Sequence, residues 1–131
     1  MRIALRYLTL VALYGAALGA VHLMSNDNDA GAAIGVGILE FLAVAAICGT
    51  WAIFDGMRDL RQALITWGVV AVVYAVSVPF FIAISDGSLD WSVLRSDLAT
   101  LGPFTLMLVA APAAVGAVIG HAIRPTPAPT S

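Results

Sequence analysis

The chain has 131 residues, 61% of them hydrophobic and 11% charged, with a formal net charge of −2. A soluble domain carries roughly a quarter charged residues, and the apolar excess here gathers into four long blocks, which excludes an ordinary water-soluble globule. The charge balance offers no basic patch for nucleic acid, and the single cysteine, Cys48, excludes an intrachain disulfide.

The composition predicts an all-α, polytopic membrane protein: a four-transmembrane-helix bundle forming one domain over residues 1–124, with spans near 3–24, 31–54, 63–85 and 102–123. All six basic residues are arginine. With so much Ala, Gly and Val, this resembles the residue usage of a high-GC bacterium.

The first block opens with Arg2 and Arg6 and continues YLTLVALYGAALGAVHLM. A signal peptide has a similar start. This apolar run is longer than a usual signal core, however, and Tyr14 and His22 interrupt the small-residue cleavage site, so a retained helix is expected. Ser25 to Asp29 then form a polar turn and a ready N-cap.

The second block, Gly31 to Phe54, holds a single charge, Glu40, near its middle. A carboxylate at that depth is costly, so it is rarely there without a partner or a task. One such task is proton-coupled exchange, in which the group releases a proton, takes a cation and reverses. The alternative is a protonated Glu40 hydrogen-bonded to a neighbouring helix. Tyr14, Phe41, Trp51 and Tyr74 are candidate aromatic walls for an apolar cation. After Trp51, the residues Asp55, Arg58, Asp59 and Arg61 are expected to make a short charged loop, shaped by local ion pairs among Asp55, Arg58 and Asp59.

The third block carries Pro79 inside it, which predicts a kink, with Ser77 close enough to help the freed carbonyl. Ser88 to Leu101 is only moderately apolar. It reads either as a short interfacial helix anchored by Trp91 or as the polar first turns of the fourth span. The fourth block begins at Gly102, with Pro103 suited to a helix start and Pro112 predicting a second kink. Residues 125–131 form a flexible Pro-rich tail.

Four crossings place both termini on one side, with Arg2, Arg6, Arg58, Arg61 and Arg124; Arg95 falls opposite. The positive-inside rule makes that side cytoplasmic, in a bacterial inner membrane. Three small-xxx-small pairs, Gly15 with Gly19, Gly31 with Gly35 and Gly116 with Gly120, predict close backbone packing within the bundle or between copies. A homo-oligomer or a larger membrane complex is therefore expected. No nucleophile elbow, phosphate loop, CxxC or metal-binding helix motif is present, so the chain is read as neither an enzyme nor a cofactor or metal binder.

The stretches WAIFDGMRDLR (Trp51 to Arg61), TWGVVA (Thr66 to Ala71) and VAAPAAVGAVIGHAIR (Val109 to Arg124) resemble small actinobacterial membrane proteins. These are grouped as bacterial four-helix relatives of the drug/metabolite transporter superfamily. The resemblance covers about half the chain and implies transport, with no residue roles to carry over. The better-known small multidrug exporters place their glutamate in the first helix; here it is in the second. An expectation of a different class is a non-catalytic accessory subunit of a larger membrane complex. A lytic or pore-forming protein is disfavoured by the single buried charge.

Overall fold

The computed structural model describes residues 2–24, 30–85, 87 and 90–125. Met1, the expected turn from Ser25 to Asp29, Asp86, Ser88, Leu89 and the expected tail beyond Pro125 lie outside the described residues. Four helices make up the fold: α1 (Arg2–Met24), α2 (Ala30–Arg58), α3 (Leu60–Ser85) and α4 (Trp91–Ala122). Each is long and apolar enough to cross a membrane. No strand occurs among the described residues. The fold is the all-α four-helix bundle that the composition predicts.

The helices alternate in direction. Contacts between Arg6 and Asp55, Trp67 and Asp55, and Gly120 and Ile53 bring together the start of α1, the end of α2, the start of α3 and the end of α4. This is termed the arginine end. Within the bundle, α4 packs against α2 and α3, most extensively against α2, whereas α1 lies against α2 and α3 and, among the described residues, makes no close backbone approach to α4.

The close α2–α4 approach follows from side-chain size. Each helix buries a row at i, i+4 spacing: Val44, Cys48 and Ala52 on α2, and Thr105, Val109, Ala113 and Ala117 on α4. Toward the arginine end these rows lose side chains altogether. A Cβ on Gly116 would collide with the Gly49 carbonyl, one on Gly120 with the Ile53 carbonyl, and one on Gly56 with the Ala117 carbonyl. Helix backbones meet directly there, the arrangement that small residues permit in hydrocarbon. Of the predicted glycine pairs, Gly116 with Gly120 is therefore a true packing motif within the chain. Gly15, Gly19 and Gly35 meet nothing among the described residues, and Gly31 is exposed. The sequence reading missed Gly49 and Gly56, which receive α4.

The centre is filled by α3, where Trp67, Val70, Ala71, Tyr74 and Pro79 are buried. The outside is apolar instead: Leu39 is 66% exposed, Ile34 65% and Phe104 60%. Such a surface would be an association liability in water, and in hydrocarbon it is the natural solvent contact.

The helices outrun the apolar blocks. Only Asp59 separates α2 from α3, so the expected charged loop is nearly all helix. Asp59 acts at this junction as an acceptor for the backbone N–H of Gln62, at 3.1 Å. The segment from Trp91 onward is the first turns of α4, not a separate interfacial helix. Pro103 is accordingly interior to α4 and does not begin it. At 1.5 Å per residue, α4 spans about 48 Å, longer than a hydrocarbon core of about 30 Å. Pro79 and Pro112 lie inside continuous helices and end neither. Ser77 donates its hydroxyl to Val73 O at 2.7 Å. That is not the carbonyl Pro79 frees, which belongs to Ala75 by the i−4 rule.

Asp90 caps α4. Its carboxylate accepts from the backbone N–H of Ser92 at 2.8 Å and from the Ser92 hydroxyl at 2.9 Å. These hydrogen bonds, the backbone one first, hold the Asp90 carboxyl below the usual carboxylate range. The cap therefore contributes fully above that range and is lost as pH falls through the depressed value. Acid titration followed by amide NMR should show Ser92 and Val93 shifting together at that lower pH. Asp90→Asn should remove the transition; a transition that survives the substitution would assign it elsewhere.

Candidate functional site

Two polar features interrupt the apolar interior, one near the middle of the bundle and one at the arginine end. The first is Glu40. It is half-buried on α2 and lines a partly open cavity of about 260 Å³ to which all four helices contribute. Tyr14 comes from α1, Phe41 from α2, Tyr74 from α3, and Phe104 and Thr105 from α4. The cavity has a simple origin. It lies beyond the glycine zone, where Leu101, Phe104 and Leu108 replace the small residues of α4, and it spans the gap left between α1 and α4. Among the described residues, no group donates a hydrogen bond to the Glu40 carboxyl.

Three of the four anticipated aromatics, Tyr14, Phe41 and Tyr74, thus share the cavity with Glu40. Tyr14 also stacks on Phe81, with ring centroids 6.3 Å apart. Trp51 does not belong to it. It stands at the arginine end, about 11 residues or three turns along α2 from Glu40.

The second feature was not foreseen. Arg6 is only 5% exposed, and one of its terminal nitrogens donates to both Asp55 carboxylate oxygens, at 2.7 and 2.6 Å. Trp67 donates its indole N–H to the same carboxylate at 3.0 Å. The guanidinium carbon lies 5.5 Å from the ring centroids of both Trp51 and Trp67, which meet edge to face. A cation with two aromatic faces and a carboxylate is well compensated without water. Asp55 therefore pairs across helices, 49 positions away in sequence, and not with its neighbour Arg58 in the local pairing expected. Arg58 makes no ion pair among the described residues. A third tie holds α1: Tyr7 donates its hydroxyl to Ser77 Oγ at 2.8 Å, since the Ser77 proton is already given to Val73 O.

His22 and His121 sit at opposite ends of the bundle, and Cys48 is fully buried among apolar side chains. Comparison with protein-family models, curated proteins and solved structures gives no match to this chain.

Proposed function

We propose that this chain is a small bacterial inner-membrane transporter of the drug/metabolite type, with both termini cytoplasmic, in which Glu40 exchanges a proton for an apolar cation. The observation that carries the reading is the Glu40 cavity. A carboxyl with no hydrogen-bond donor among the described residues lines a space of about 260 Å³ walled by Tyr14, Phe41, Tyr74 and Phe104. Intramembrane ionisable groups mark substrate and ion pathways, and aromatic faces stabilise cations once water is excluded. The resemblance of the Trp51–Arg61 and Val109–Arg124 stretches to four-helix drug/metabolite relatives points the same way. The five-to-one arginine bias supports the orientation.

Proteoliposomes with an internal pH dye test the assignment, with tetraphenylphosphonium as the probe cation. The parent should show cation-driven proton flux. Glu40→Gln should fall to the leak of empty liposomes, and Glu40→Asp should retain part of the flux. Parent-level flux in Glu40→Gln would remove the coupling role.

An accessory-subunit role is the second reading. It is favoured by the open glycines Gly15, Gly19 and Gly35, where nothing lies within 4 Å of an added Cβ. Stoichiometric copurification of foreign subunits from native membranes would select that reading over transport by a homo-oligomer.

A further inference from the structure

We infer that the arginine end of α2 carries a binding groove for an anionic phospholipid. The groove is separate from the Glu40 cavity and shares no lining residue with it. It is built from two adjoining spaces that meet at Trp51. One, of about 130 Å³, is lined by Leu5, Arg6, Trp51, Asp55 and Arg58. The other is a shallow apolar trough of about 420 Å³ formed by Ala46, Ile47, Thr50, Trp51 and Phe54. The residues Ala46, Thr50, Phe54 and Arg58 follow at i, i+4 spacing, so one stripe of α2 runs from hydrocarbon-compatible side chains to a guanidinium.

The charges select the head of the ligand. Asp55 is already matched by Arg6, which leaves Arg58 as the excess positive charge on the groove. Arg58 is exposed and makes no ion pair among the described residues. The donors are also unequal. Trp67 gives its indole N–H to Asp55, whereas no acceptor for the Trp51 indole lies among the described residues. Arg6 Nε is buried and unpartnered in the wall of the polar space. A net anion with several acceptor oxygens satisfies such a set, and a zwitterionic head brings an ammonium that Arg58 repels. The trough beyond Trp51 selects the rest of the ligand, an acyl chain attached to that head. A phospholipid places its phosphate, ester and chain in this order along the membrane normal, and polybasic membrane ends attract anionic heads.

Native mass spectrometry of the full chain tests this, with the protein released from micelles holding equal phosphatidylglycerol and phosphatidylethanolamine. The parent should retain phosphatidylglycerol in preference. Arg58→Gln should lower that retention about fivefold, the factor for one arginine near a charged surface. Ala46→Phe fills the trough, leaves every charge in place, and should lower retention as well; it decides the matter if Arg58→Gln does not fold. Arg124→Gln, which removes an exposed arginine at the same end but outside the groove, should retain the lipid as the parent does. Equal retention of the two lipids by the parent would overturn the site. So would parent-like retention in Ala46→Phe, or an equal loss in Arg124→Gln. Displacement of the lipid by water-soluble glycerophosphoglycerol at the same concentration would reduce the groove to a simple anion site, and the proposal would fail.

Discussion

Asp55→Ala is expected to destabilise the bundle by about 3 kcal/mol, because it leaves a buried guanidinium without its counter-charge. The figure sits at the low end for a broken buried pair, since Arg6 lies near a helix start and part of its charge can extend toward the interface. The same substitution strips the acceptor from the Trp67 indole, so two donors lose one partner. Replacing both members, Arg6→Met with Asp55→Leu, should recover most of the loss, because apolar groups of similar volume replace an ion pair at little net cost. Thermal unfolding in detergent micelles, followed by tryptophan fluorescence, is a suitable measurement, as Trp51 and Trp67 both face the cluster. An Asp55→Ala midpoint equal to the parent's would mean that the pair is only incidental.

Gly116→Val should be damaging for a different reason. Its Cβ falls on the Gly49 carbonyl, a backbone atom that no rotamer change can move. α2 and α4 must then separate, and the contacts around Ala113 and Ala117 loosen with them. Overpacking of this kind costs about 3 kcal/mol. Gly120→Val should behave alike, against the Ile53 carbonyl. Gly15→Ala and Gly19→Ala, in a motif of identical spacing, should leave the unfolding temperature of the monomer unchanged, because their surroundings are open. Destabilisation of an oligomer by those two substitutions would instead reveal a second copy on α1. Equal tolerance of Gly116→Val and Gly15→Ala would contradict the packing described for α2 and α4.

The contrast between these glycine pairs shows what a sequence can convey. Spacing gives the capacity for close approach, and it is identical in Gly15–Gly19 and Gly116–Gly120. Which pair is used depends on what lies opposite, and Gly49 and Gly56 do not stand four apart, so they fell outside the pattern. The four spans were legible because hydrocarbon imposes a length and a composition on each. Glu40 and three of its aromatic neighbours were legible because polar and aromatic residues stand out in such segments. The Arg6–Asp55 pair was not, since both residues had local explanations: a positive start for orientation, and a charged turn. Depth was the unused signal. In an alternating bundle, a residue one turn into α1 lies level with the last turn of α2 and the first turns of α3, which places Arg6, Asp55 and Trp67 in one layer.

That α1 and α4 make no close backbone approach among the described residues bears on how the molecule is assembled. During synthesis α1 emerges first, yet the groups that hold its polar and aromatic side chains (Trp51, Asp55, Trp67, Ser77 and Phe81) are made later. The polar ties of α1 to α2 and α3 are therefore complete only once the α2–α3 hairpin is made. α4 meets no such delay, because both of its neighbours are already in place when it enters. The first-made helix is thus among the last to be secured, and chains halted before Asp55 should leave Arg6 without its counter-charge.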